Sequence, residues 1–179
     1  MNRSDDIWVF GYGSLMWLPG FEYLEEAEAE LDGYHRDLCI LSYVFRGTPD
    51  VPGLVMGLNK GGKCRGRAYR VAGALVEETL AYLYKREMIN NVYAPSWVDI
   101  EMGKGQSTKA YTFLAIPEHK QHVAGLSIEE TCSLVLQGIG EGGSALEYLE
   151  NTLLHLHALN IDDPRLETIY RAVQTARDL

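Results

Sequence analysis

The chain has 179 residues, 46% hydrophobic and 23% charged, which fits one folded domain over residues 1–179 and excludes disordered and fibrous classes. A formal charge of −9 is the wrong sign for a phosphate backbone, so no nucleic-acid partner is expected. No apolar run reaches the roughly 18–20 residues of a membrane span, and the opening Met1 to Asp6 lacks the character of a secretory leader, so a soluble, cytoplasmic protein is expected. The three cysteines, Cys39, Cys64 and Cys132, are widely spaced and form no C-x-x-C pair, which indicates neither a disulfide framework nor a zinc knuckle.

The first part of the chain reads as strands. Ile7 to Phe10 leads into Gly11, Leu38 to Phe45 is rich in apolar and β-branched residues, and Gly53 to Leu58 is followed by Gly66 to Val71. Between the last two, Gly61-Gly62 predicts a hairpin turn, since both residues tolerate positive φ. An acidic run from Glu22 to Glu30 reads as a solvated face. The cations Arg46, Lys60, Lys63, Arg65, Arg67 and Arg70 form a basic stretch that could attract a small anion. After Gly73 the apolar period lengthens to about 3.6, predicting a helix from Leu75 to Met88 with Glu77 and Glu78 in its first turn.

Tyr93 to Ile100 and Lys109 to Ile116 return to strand character around a polar Gly103 to Thr108 turn. Ser127 with Glu130 and Ser144 with Glu147 are S-x-x-E capping boxes, and Asp163-Pro164 opens a last helix. The stripes behind the two boxes are Ile128, Cys132, Val135 and Ile139, then Leu146, Leu149, Leu153 and Leu156. The tract Gly138 to Gly143 between them reads as a connector. Strands early and helices late, without βαβ alternation, predict an α+β domain with an antiparallel or mixed sheet.

Two places invite chemistry. Phe10-Gly11-Tyr12-Gly13-Ser14-Leu15 follows an apolar strand, and its two glycines let the backbone turn sharply and gather N–H groups, so the segment reads either as a tight strand-to-helix turn or as a carboxylate-binding loop. It lacks the third glycine of a dinucleotide fingerprint, the Gly-Lys-Ser/Thr of a P-loop and the G-x-S-x-G of a nucleophile elbow. Glu87 is the other: Val76, Leu80, Leu83 and Glu87 are spaced four, three and four, which puts a carboxylate on the helix's inner stripe. Burial and a helix C-terminus both raise a carboxyl pKa above about 4.3, the condition for a proton carrier near neutral pH. The alternative is that Glu87 turns aside to pair with Arg86. The five histidines offer no shared metal site, since His155 and His157 point to different sides of a helix and His119 with His122 lacks a third ligand.

Val9 to Trp17 resembles the opening signature of the ChaC-type γ-glutamylcyclotransferases. Further resemblances follow in the same order: Arg46-Gly47-Thr48-Pro49 with Pro52-Gly53, Gly66-Arg67-Ala68-Tyr69-Arg70, Leu83 to Glu87, and Gly140 to Gly143 with Glu147-Tyr148-Leu149. Met88 to Tyr93 stands where better-known members carry a Gly-Gly pair, which is similar to a bacterial branch. The resemblance implies a small mixed β-barrel flanked by helices and a lyase of glutathione catabolism. Such an enzyme cleaves glutathione into 5-oxoproline and Cys-Gly without cofactor or metal. It also implies substrate binding by the segment Phe10, Gly11, Tyr12, Gly13, Ser14 and Leu15 and by Tyr148, with Glu87 as the catalytic acid and base.

The expected partner is therefore a small molecule, glutathione or another γ-glutamyl compound. Three other readings compete. The chain could cyclise other γ-glutamyl amino acids or amines, or bind γ-glutamyl groups without turnover. A serine amidase using Ser14 would need a His/Asp pair that the sequence does not identify.

Overall fold

The computed structural model describes residues 5–177; residues 1–4, the start of the stretch read as lacking a leader, and residues 178–179 lie outside the described residues. The chain divides into two compact units, one holding the chain up to Arg36 with Leu58–Ile116, the other Asp37–Gly57 with the chain from Pro117 onward.

The first unit is built on five strands, β1 (Ile7–Gly11), β2 (Glu25–Ser42), β3 (Gly53–Val71), β4 (Tyr93–Met102) and β5 (Gln106–Ala115), closed into a barrel in the order β1-β3-β2-β4-β5. β1 runs antiparallel to β3 and parallel to β5, so the barrel is mixed. Closure leaves no unpaired sheet edge. By register Phe10, Leu31, Ala68, Ile100 and Ala110 share one face of the sheet, and all are almost fully buried. Helix α1 (Val76–Glu87) begins after a 3₁₀ turn at Gly73–Leu75, with Glu77 and Glu78 in its first turn as the dipole favours. Thr79 and Leu83 are its buried residues, and the Met88 N–H closes it on the Tyr84 carbonyl at 3.0 Å.

The acidic run is solvated as expected, Glu22, Glu25, Glu26 and Glu28 being exposed, and its later part is the first half of β2. Two sequence expectations change here. The hairpin expected at Gly61-Gly62 is the middle of one 19-residue strand. Those glycines do take positive φ, +97° and +70°, yet they sit opposite His35, whose Nδ1 lies 2.9 Å from the Gly61 carbonyl. A positive-φ glycine kinks a strand as readily as it reverses one. The basic stretch is likewise not an open anion site, because four of its six cations meet acids of β2 and Arg46 meets Glu147. Lys63 pairs with Glu30 at 2.5 Å, Arg65 with Glu28 at 3.3 Å, Arg67 with Glu26 at 2.7 Å and Arg70 with Glu25 at 3.0 Å. The partner numbers fall along β2 as they rise along β3, so charges that look segregated in sequence alternate across strands.

The second unit carries the ends of β2 and β3 within Asp37–Gly57, helices α2 (Ile128–Gln137), α3 (Ala145–Ala158) and α4 (Pro164–Arg177), and a small hairpin of β6 (Ile139–Gly140) and β7 (Gly143–Ser144). Val135, Leu149, Leu156, Leu166 and Val173 are buried, and each of the three helices packs on the other two. The Ser127 box is complete. At Ser144 only half forms: the serine Oγ accepts the Glu147 N–H at 3.0 Å, but the Glu147 carboxylate goes to Arg46 at 3.5 Å. Ile128 and Ile139, expected on the buried stripe, are 45% and 66% exposed: Ile128 is the first residue of α2, and Ile139 lies beyond its end at Gln137, where the chain turns into the hairpin.

The glycine tract is a seam of close backbone contact rather than a loose connector. A Cβ on Gly138 would lie 2.3 Å from the Gly53 Cα, and one on Gly140 would lie 2.3 Å from the Val44 carbonyl oxygen. Cys39, Cys64 and Cys132 are buried and in no disulfide, as core residues should be.

Candidate active site

The loop after β1 is held from beneath. Phe10 is fully buried and its carbonyl accepts the Thr112 hydroxyl at 2.9 Å, so its ring belongs to the barrel core. Gly11 follows because the chain folds back on itself: a Cβ there would lie 2.9 Å from the Leu15 Cβ. Tyr12 is buried, and its hydroxyl donates to the Phe113 carbonyl at 2.9 Å. The Tyr12 carbonyl accepts from Arg36 Nε at 2.5 Å, and the same guanidinium reaches the Arg65 carbonyl. Tyr69 also fixes the loop, its hydroxyl donating to the Met16 carbonyl at 2.7 Å; burial pushes its pKa far up, so it remains a donor.

Above this floor Gly13 leads into a 3₁₀ turn, Ser14–Met16, closed by the Met16 N–H on the Gly13 carbonyl at 2.9 Å. The first N–H groups of such a turn have no partner inside it. Those of Ser14 and Leu15 find no acceptor among the described residues. Leu15 is buried and Ser14 half-buried.

Glu87 lies at the last position of α1, one turn beyond the fully buried Leu83, with 21% of its side chain exposed. Its Oε1 is 3.1 Å from Arg86 Nε. Burial pushes the Glu87 pKa up, and the Arg86 charge and hydrogen bond pull against that without cancelling it. The inner-stripe reading and the Arg86-pairing reading are therefore both realised at once. Arg86 does more than pair. Its Nη2 donates to Ser14 Oγ at 2.9 Å, so one guanidinium joins Ser14 to Glu87, the two groups of the first unit that the sequence singled out.

Tyr148, assigned to the substrate by resemblance, lies in the second unit on α3. It is buried, its hydroxyl accepts the Met56 N–H at 3.4 Å, and the Arg46 guanidinium sits 5.5 Å from its ring centroid. Arg46 also donates to the Ser144 carbonyl at 3.2 Å, so the R-G-x-P and E-Y-L segments meet within one unit. Among the described residues no three His, Cys, Asp or Glu side chains converge as metal ligands would. His155 faces the Asn151 carbonyl and His157 faces Glu167.

Sequence reasoning missed Arg36 as the loop's anchor and the wider reach of Arg86. A signal for Arg36 existed: it is two and four residues before the buried Leu38 and Ile40, on the same face of a strand.

The closed mixed barrel and the helices make an α+β fold that carries a glycine loop joined through Arg86 to the mostly buried Glu87. Residues 7–176 match the family model described as ChaC-like protein, and the chain belongs to that family. It is 33% identical over 174 residues to the glutathione-specific gamma-glutamylcyclotransferase of Escherichia coli (strain K12), covering 96% of this chain and 75% of that one. It is 32% identical over 176 residues to glutathione-specific gamma-glutamylcyclotransferase 1 of Danio rerio, covering 95% and 90%. In fold it matches the crystal structure of a yeast γ-glutamyl cyclotransferase specific to glutathione, with a TM-score of 0.89 at 21% identity over 96% and 97% of the two chains.

Proposed function

We propose that this protein degrades glutathione to 5-oxoproline and Cys-Gly in the cytoplasm, as a cofactor-independent enzyme with no nucleic-acid partner. The observation that carries the reading is the mostly buried Glu87 carboxylate, raised in pKa and tied through Arg86 to the Ser14 hydroxyl. The names of the Escherichia coli and Danio rerio relatives support glutathione as the substrate.

In this reading the substrate's α-amino group reacts as the neutral amine. Its nitrogen attacks the γ-carbonyl carbon, closing the five-membered ring, and Glu87 takes the proton that the nitrogen must lose as the new bond forms. The bond to the cysteine nitrogen then breaks, and that nitrogen leaves with the electron pair and takes the proton from Glu87. One carboxylate serves as base and then acid, so nothing is consumed. A group raised in pKa suits both halves, because its carboxylate is a stronger base for the first transfer, and a pKa closer to the working pH lets the same group accept the proton and return it. The N–H groups of the Tyr12 to Leu15 segment and the Ser14 hydroxyl hold the γ-glutamyl end so that amine and carbonyl meet in attack geometry. The resemblance also assigns Tyr148 to the substrate.

Mass spectrometry of products from glutathione and from γ-glutamyl-alanine tests the assignment. Equal amounts of 5-oxoproline and Cys-Gly from glutathione, with little turnover of γ-glutamyl-alanine, are expected. Turnover of γ-glutamyl-alanine alone would move the substrate to other γ-glutamyl compounds. A thermal shift with glutathione and no product would leave a binding module.

A further inference from the structure

We propose that Arg86 is the positioning residue of this site, a fork that sets the Ser14 hydroxyl as a donor toward the substrate and orients the Glu87 carboxylate. The proposal rests on the reading of Glu87 as the proton carrier. Three faces of one guanidinium are engaged. Nε meets Glu87 Oε1 at 3.1 Å, Nη2 donates to Ser14 Oγ at 2.9 Å, and Nη1 donates to the Leu18 carbonyl at 2.7 Å, the Pro19 carbonyl at 3.3 Å and Tyr82 Oη at 3.1 Å. The arginine side chain is only 20% exposed, so these bonds form largely out of water. A rigid planar fork can satisfy three directions together, and a lysine cannot.

The Ser14 bond has a consequence for chemistry. An oxygen that accepts from Arg86 points its own O–H elsewhere, and among the described residues nothing accepts that proton. The hydroxyl is therefore a donor for a substrate carboxylate or oxyanion. For Glu87, Arg86 is the charged group that acts against burial, favouring the ionised form that the first proton transfer needs.

The fork is itself buttressed. Tyr82 lies one turn before Arg86 on α1, and its hydroxyl lies against Gly20, where a Cβ would come within 2.1 Å of Tyr82 Oη. Gly20 adopts φ +74°, which few other residues tolerate, so the chain turns tightly at the point where Tyr82 braces Arg86. The Leu18 and Pro19 carbonyls that hold Nη1 come from the same turn.

Arg86→Gln, Arg86→Lys and Tyr82→Phe test the proposal. A bond to a charged group is worth roughly a 10- to 100-fold change in equilibrium, so kcat/KM of Arg86→Gln should fall by about that factor. Its acid limb should move to higher pH, and added guanidinium ion should restore part of the rate. Arg86→Lys should keep the position of the limb with an intermediate rate, and Tyr82→Phe should lose a few-fold. A second readout does not depend on turnover: ¹³C NMR titration of Glu87 should show a higher pKa in folded Arg86→Gln than in the parent. Unchanged kcat/KM, or a loss with neither limb shift nor guanidinium rescue, would overturn the proposal. So would an unchanged Glu87 titration. Failure of the parent on every γ-glutamyl compound would instead sink the catalytic reading, leaving the titration to judge Arg86 alone.

Discussion

Gly11→Ala tests whether the loop geometry described above governs activity. The new Cβ would lie 2.9 Å from the Leu15 Cβ, 3.2 Å from the Leu15 carbonyl carbon and 3.3 Å from the Met16 nitrogen. Carbon atoms rest at about 3.5–4.0 Å, so the Ser14–Met16 turn must retreat by about 0.6–1.1 Å. No rotamer change relieves this, because the atoms met are backbone and Cβ. Overpacking of this kind costs about 1–3 kcal/mol, and the gain from a less flexible unfolded chain returns about 0.4–1 kcal/mol. A net loss of about 1–2 kcal/mol lowers Tm by about 2–8 °C in a chain of this size. Activity should suffer more than stability, since a misplacement near 1 Å costs about 100-fold in rate. The assay is kcat/KM for 5-oxoproline release beside Tm, with Gly103→Ala, whose Cβ would meet nothing within 4 Å, as the silent control. Parental kcat/KM in Gly11→Ala would refute the reasoning.

Two further predictions follow from burial and close contact. Burial raises the Glu87 pKa above its unfolded value, so between the two the folded chain holds more protons than the unfolded one and stability falls as pH rises. The stabilising contribution of protonated Glu87 is complete below the unfolded pKa and lost through the folded one. The Tm of Glu87→Gln minus that of the parent should therefore become more positive from acid to neutral pH; a flat or falling difference would contradict the assigned environment. Gly138→Ala drives a Cβ to 2.3 Å from the Gly53 Cα and 2.5 Å from the Arg46 carbonyl oxygen, although its φ of −73° suits any residue. Thermal unfolding should show a drop of about 2–12 °C, from about 1–3 kcal/mol of overpacking, and an unchanged Tm would dismiss the close-packed seam.

Local signals in this sequence were legible where one residue type has one structural use. The α1 stripe placed Glu87 because a carboxylate spaced four residues from Leu83 has to face the way Leu83 faces. Ser127 with Glu130 and Asp163 before Pro164 marked helix starts because capping chemistry is short-range; Asp163 Oδ1 accepts the Leu166 N–H at 3.2 Å. Gly61-Gly62 misled because positive φ has two uses, turn and strand kink. The basic stretch misled because its pairing with acids is across strands some 33 to 45 residues apart. Arg86 was visible only as a neighbour of Glu87, since its bonds to Leu18, Pro19 and Ser14 join segments about 70 residues away, beyond any local pattern.

The most direct test of the central claim compares the protein with Glu87→Gln on glutathione, measuring 5-oxoproline and Cys-Gly together. Gln keeps the shape of the side chain and cannot carry the proton, so the rate should fall by at least the roughly 100- to 10,000-fold that a positioned acid and base supplies. Both products should vanish in step while the variant still folds. A Glu87→Gln protein that releases both products within a few-fold of the parent rate would contradict the account.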